Sequence, residues 1–373
     1  MNPTKVLIYV EDPGACNYLK GLPQALLYKG ISAKLLAYGP SVSYLSSRNV
    51  EFDEIAAGST AEMLLQEHRP EVVIVGTSEQ RETLAHNLAD VCKEQGIVCI
   101  GAVDMQSNAA LRFRGTTDSA LAHAPEWLMV PDKACQLEFE KLGFPHSKIF
   151  AAGHPQFDYV RALASELRPR RTELRRRILP EAAIDAFVIS FLCEGYDLLN
   201  RSASMKTSDY TLHGRGQTNF RTAIVLEELL DAISELEPKP FFVARLHPKM
   251  VGDELSHYNG EVDYWSLTED PLELLTISDL VVGMSSMLLQ EAAIMERPTL
   301  SILPKSSERQ WLPVTANGIT PVVFTREELR QFLTDFVRCP RLANSAIDIS
   351  GNALDNIVQF ISQRLQQSTR AAI

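Results

Sequence analysis

Between Ser278 and Leu303 the chain reads SDLVVGMSSMLLQEAAIMERPTLSIL. The apolar residues Val281 and Val282 end at Gly283. Ser285 and Ser286 then open a helical pattern that carries Gln290 and Glu291 on its early turns. A helix start offers unpaired backbone N–H groups and the positive end of a dipole. With Gly283 permitting the turn and two serines donating, the stretch can seat a diphosphate. Plain capping explains Ser285 or Ser286 alone. It does not explain Glu291, which sits beside Ala292 and Ala293, where an unpartnered carboxylate is costly. That carboxylate can accept hydrogen bonds from a ribose diol.

Other candidate groups also follow apolar runs. FVARLHPK places Arg245, His247 and Lys249 at alternate positions, a cationic face for phosphate oxygens or an exposed basic strand end. VEDPGACN puts Glu11 and Asp12 before a Pro13–Gly14 turn, where a substrate can approach the backbone closely. An ordinary turn with an acidic cap is the alternative. GAVDMQSNAALRF sets Asp104 directly after a run, placed as a general base, with Gln106 and Asn108 to orient hydroxyls. VGTSEQR offers Glu79 and Arg81 behind the capping pair Thr77 and Ser78. In AAGHPQFDYV, His154 and Asp158 mark a hinge or a substrate contact.

Those runs need elements to hold them. Strands are expected over residues 5–10, 33–37, 71–76, 98–103, 127–130 and 149–152, then over 187–192, 241–246, 262–265, 279–283, 299–303 and 322–324. Helical patterns cover residues 15–28, 80–94, 133–142, 218–234, 287–295, 326–337 and 352–367. Such alternation predicts parallel sheets covered on both faces, in two Rossmann-like doubly wound domains facing across a cleft. Residues 1–155 are expected to form the first domain and 156–345 the second. Residues 346–373 supply a helix expected to pack back on the first. The arginine-rich stretch after His154 reads as the connection, with a solvated face preferred to a phosphate patch. The polar segment 193–216 is long for an αβ connection and suggests a functional loop or lid.

Bulk properties narrow the class. The 373 residues carry a formal charge of −11, which argues against a general nucleic-acid binder and leaves room for one local anion pocket. No apolar run approaches the roughly 18 residues of a membrane span. Six scattered cysteines without a CxxC suit reduced thiols in a cytoplasm. No metal spacing occurs among the eight histidines, so no metal and no resident cofactor are expected.

These motifs resemble those of the GT-B-fold nucleotide-sugar enzymes, especially the hydrolysing UDP-N-acetylglucosamine 2-epimerases. They are also similar to the lipid-intermediate N-acetylglucosaminyltransferases of peptidoglycan synthesis and, more distantly, to the CDP-glycerol glycerophosphotransferases. SDLVVGMSSMLLQEAA is similar to their diphosphate and ribose motif, AGHPQFD to their interdomain motif, and RLHPK to their strand-end HP pair. Where the epimerases carry a glycine pair this chain has Ser285–Ser286, and their opening motif is replaced by VEDPGACN. The resemblance implies an enzyme using a nucleotide-diphosphate sugar, expected as a glycosyltransferase of bacterial glycan or glycoconjugate synthesis. A hydrolysing 2-epimerase and a non-catalytic nucleotide-sugar binder are the alternatives. The implied partners are the nucleotide sugar and an acceptor of unspecified chemistry, with a homodimer left open.

Overall fold

The structure is a computed structural model that describes residues 4–195, 204–247, 250, 255–339 and 351–371. The chain divides into two compact units. One comprises Met1–Asp158 with Ile349–Ile373, and the other Tyr159–Asp348.

The first unit is built on seven strands: β1 (Val6–Val10), β2 (Ala33–Ala37), β3 (Asp53–Glu54), β4 (Val72–Gly76), β5 (Val98–Ala102), β6 (Trp127–Val130) and β7 (Ile149–Ala151). They lie in the order β3-β2-β1-β4-β5-β6-β7. All pairs are parallel, with Val6 opposite both Ala33 and Val72. VLIYV and VVIVG are buried throughout because helices cover both faces. The helices are α1 (Pro13–Leu19), α2 (Leu22–Tyr28), α3 (Pro40–Ser46), α4 (Ala61–His68), α5 (Leu84–Gln95) and α6 (Lys133–Lys141). The division between units falls within α7 (Pro155–Leu167).

One helix was expected over 15–28, but two are present. Pro23, second in α2, has no N–H to continue α1, so the chain restarts at Leu22. Helix α5 begins at Leu84, not at residue 80, because the Thr83 side chain accepts from Ala85 N–H and caps it there.

The second unit holds α8 (Arg171–Ile178), β8 (Val188–Leu192), α9 (Arg221–Ser234), β9 (Phe241–Arg245), β10 (Tyr264–Ser266), α10 (Pro271–Ile277), β11 (Leu280–Gly283), α11 (Met287–Ile294), β12 (Thr299–Ile302), α12 (Pro313–Ala316), β13 (Val322–Val323) and α13 (Arg326–Arg338). Its parallel sheet runs β10-β9-β8-β11-β12-β13. Helix α14 (Ala353–Ala371) belongs to the first unit, where Ile357, Val358, Phe360, Ile361 and Leu365 enter the core beside α1 and α2.

The arginine-rich stretch keeps the expected solvated face, with Arg168, Arg170, Arg176 and Arg177 exposed, while two of its arginines turn inward as anchors. Arg171 and Arg175 both grip Asp279, at 2.6 and 2.5 Å, and donate to backbone carbonyls at the end of α10. The described part of the 193–216 segment is likewise tied down. Tyr210 and Leu212 are core residues, and Gly214 N–H donates to the Glu228 carboxylate at 2.8 Å. Residues 196–203 lie outside the described residues.

Candidate functional site

In each sheet the strand order reverses at one place: between β1 and β4, and between β8 and β11. Ligands of such sheets bind beyond the carboxyl ends of the strands at that reversal.

In the second unit Glu194 leaves β8 there, and Ser285 leaves β11. They meet. Ser285 N–H donates to Glu194 Oε1 at 2.5 Å, and the Ser285 hydroxyl lies 3.2 Å from Oε2. Arg221, at the start of α9, donates from Nη1 to Glu194 Oε2 at 2.5 Å and from Nη2 to Glu308 Oε2 at 2.7 Å. Arg221 and Glu308 are buried, with side chains 7% and 2% exposed; Glu194 keeps 20%. Burial alone would lower the Arg221 pKa, but Glu194 and Glu308 outweigh it and hold it above its ordinary value. Burial raises Glu308, with Arg221 opposing.

The expected diphosphate seat is therefore filled, and by a carboxylate of the same chain. The α11 start is also partly self-capped. Ser286 Oγ accepts from Leu288 N–H at 3.2 Å, so it is committed to the helix. Gly283 has no positive φ, and a methyl there would meet Leu289 at 3.4 Å, so the turn does not depend on glycine. Gln290 and Glu291 are buried at 2% and 8% exposure, and among the described residues the Gln290 Oε1 has no hydrogen-bond partner.

Arg245 ties two strand ends of the second sheet together. Its Nη1 donates to Ser266 Oγ at 2.9 Å and to the Glu269 carbonyl at 2.7 Å, joining the end of β9 to the turn after β10. Burial lowers its pKa. His247 packs against Gly195, where a Cβ would stand 2.8 Å from its Nδ1. Lys249 lies outside the described residues.

In the first unit the carboxylates separate into fixtures and one candidate proton carrier. Glu11 is buried and accepts from Tyr9 at 2.8 Å and from Ser78 at 2.9 Å, so it ties β1 to β4 across the reversal. Asp12 caps α1 through Gly14 N–H at 2.8 Å. Glu79 accepts from Asn108 at 2.8 Å on the exposed side. Asp104 lies against Gly14, so close that a Cβ there would stand 2.1 Å from its Oδ2. Arg112 Nη1 donates to Asp104 Oδ1 at 3.2 Å. Burial raises the Asp104 pKa; Arg112 pulls it down, and Asp12 and Glu79 push it up further. A carboxyl tuned in this way can exchange a proton.

Two remaining candidates have structural partners. The His154 ring stacks on Phe157 with centroids 4.1 Å apart and meets Tyr18 edge-on at 4.9 Å. Its Nδ1 accepts from Gln156 N–H at 3.2 Å, and burial lowers its pKa to about 3, so the ring is neutral with its proton on Nε2. Asp158 accepts from Gly351 and Ala353 N–H, at 3.0 and 2.7 Å, and so closes the start of α14. Arg112, Glu194, Arg221 and Glu308 did not stand out in the sequence. Glu194 carried a readable signal, since it follows a strand end just as Asp104 does.

The chain is similar along nearly its whole length to solved structures. One is a UDP-GlcNAc 2-epimerase from Neisseria meningitidis bound to UDP-GlcNAc, with a TM-score of 0.67 and 15% identity over 96% of this chain and 100% of that one. Another, from Methanocaldococcus jannaschii, is a UDP-GlcNAc 2-epimerase in complex with UDP-GlcNAc and UDP, with a TM-score of 0.64 and 16% identity over 96% and 99%. A variant of the wall teichoic acid polymerase TagF aligns with a TM-score of 0.59 and 16% identity over 99% and 91%. The fold is GT-B. At these identities the likeness establishes the architecture and not the chemistry. No family model and no curated protein matches the sequence. Among the described residues no helix is long and apolar enough to cross a membrane, and no three His, Cys, Asp or Glu side chains converge to hold a metal ion.

Proposed function

We propose that the chain is a glycosyltransferase-like enzyme that uses a nucleotide-diphosphate sugar. One observation carries the reading. At the reversal of the second sheet, a backbone N–H, a hydroxyl and a buried guanidinium converge on a single anion. That donor set suits a phosphate oxygen, and a GT-B architecture shared with enzymes solved with UDP-GlcNAc and UDP supports the assignment.

In this reading the second unit holds the nucleotide. Ser285 and Arg221 take the phosphates and stabilise the charge that develops as the sugar–phosphate bond breaks. Glu291 takes the ribose. The first unit holds the acceptor, and Asp104 accepts the proton of its attacking hydroxyl. No metal or resident cofactor enters the scheme.

The buried Asp104 favours a second reading as well. A carboxyl with a raised pKa can remove the sugar C2 proton, as a hydrolysing 2-epimerase requires. Incubation with nucleotide sugars separates the two. Release of nucleoside diphosphate only with an acceptor supports transfer; free epimerised sugar without one supports epimerisation. Failure of every nucleotide sugar and nucleoside diphosphate to bind would overturn both.

A further inference from the structure

The seat at the β8–β11 reversal has an occupant. The Glu194 carboxylate takes the Ser285 N–H, approaches the Ser285 hydroxyl and pairs with Arg221. These are the contacts a phosphate would make, and an anion already fills them. The three charged groups are not equally fixed. Glu308 is 2% exposed and Arg221 7%, and the second guanidinium nitrogen of Arg221 is held by Glu308. Arg221 Nη1 also lies 3.1 Å from the sulfur of Met284. Glu194 is the member with an outlet, at 20% exposure. Its backbone is pinned, because Thr222 Oγ1 donates to the Glu194 carbonyl at 2.6 Å. The side chain can therefore leave without moving the strand end.

We infer that Glu194 is an internal competitor of the ligand: the diphosphate of the nucleotide sugar displaces its carboxylate and inherits Ser285 and Arg221, while Glu308 keeps the guanidinium in place. This rests on the nucleotide-sugar reading above, in which Arg221 is the cation of the seat, and adds one assignment to it. Glu194 sets how tightly the seat binds, since a ligand's apparent affinity falls by the fraction of time its site is open.

The experiment is calorimetric titration of the full chain with UDP, CDP and inorganic diphosphate. Wild type is compared with Glu194→Ala and Glu194→Gln. If the carboxylate fills the seat more than nine-tenths of the time, Glu194→Ala tightens the best of these ligands by about tenfold or more. Glu194→Gln, which keeps the shape and loses the charge, gives a smaller gain in the same direction and decides the matter if the alanine variant does not fold. Binding to wild type that is unchanged or weakened in both variants overturns the inference and leaves the nucleotide-sugar reading standing. Binding to none of the three proteins overturns both.

Discussion

Gly14 and Asp104 are fitted to each other: a methyl group on Gly14 would stand 2.1 Å from the Asp104 Oδ2 and 3.1 Å from the Asp12 Oδ1. The Asp104 side chain is short and held by Arg112, so it cannot step aside without leaving that partner. Gly14→Ala is expected to cost about 1–3 kcal/mol by overpacking. Turnover of a nucleotide sugar should fall at least tenfold, while nucleoside diphosphate binding stays intact. Thermal unfolding, turnover and calorimetry check the three parts.

Asp104 is a carboxyl whose burial raises its pKa above the ordinary 3.8. In the folded chain its ionised form is disfavoured relative to the unfolded chain. The resulting cost is present at neutral pH and disappears as pH falls below the unfolded value. Asp104→Asn mimics the neutral carboxyl, so it should unfold at a higher temperature than wild type at pH 7. That advantage should shrink toward pH 4, and turnover should be lost at every pH. Melting curves of both proteins across this range test the sign.

Much of the architecture was legible because buried parallel strands read as continuous apolar runs. VLIYV, VVIVG and LVVG announce themselves, and residues just after them are the ones that converge. Pairing was not legible. Arg221 lies 27 residues from Glu194 and 87 from Glu308, and only the closed sheet brings them together. Arg245 looked like a phosphate ligand because strand alternation says which face a residue lines but not what already waits there. Ser266 and Glu269 do, and both accept from its Nη1. Glu194 is hard to single out because FLCEG reads as the entry to a polar loop, although it obeys the same strand-end rule as Asp104.

Arg245 accordingly has a structural prediction. Arg245→Met removes hydrogen bonds to Ser266 and the Glu269 carbonyl and should destabilise the second unit by about 1–3 kcal/mol. Affinity for nucleoside diphosphates should be unchanged when measured well below the unfolding temperature.

His154 predicts an acid-side weakness. Its folded pKa is lowered from 6.5 to about 3, by burial first and by Lys20 second. A histidine kept neutral in the folded chain contributes stability that is complete above the unfolded value of 6.5. The contribution is lost as pH falls toward 3, at about 1.4 kcal/mol per pH unit. Replacing it with a residue that does not titrate removes this slope. His154→Phe should therefore flatten the fall in unfolding free energy between pH 6 and pH 4, measured by denaturant titration at each pH. The cost at pH 8 is the lost acceptor for Gln156 N–H.

Asp279 links the entry of β8 to the arginine helix. Its Oδ2 accepts from Val188 N–H at 2.8 Å and from Arg175 at 2.5 Å, and its Oδ1 from Arg171 at 2.6 Å. Burial would raise its pKa, but the Val188 N–H and the two arginines outweigh that and lower it. Its stabilisation is thus present above the ordinary carboxylate value and is lost as pH falls through the lowered one. Asp279→Asn keeps an acceptor for Val188 but leaves two guanidinium groups without their countercharge. Breaking a pair of this kind costs about 3–5 kcal/mol. Differential scanning calorimetry should show the second unit melting earlier at pH 7, with the gap between variant and wild type closing as acid protonates the native carboxylate. An equal melting temperature at pH 7 would mean that the arginines find other partners in the α10 carbonyls they already touch.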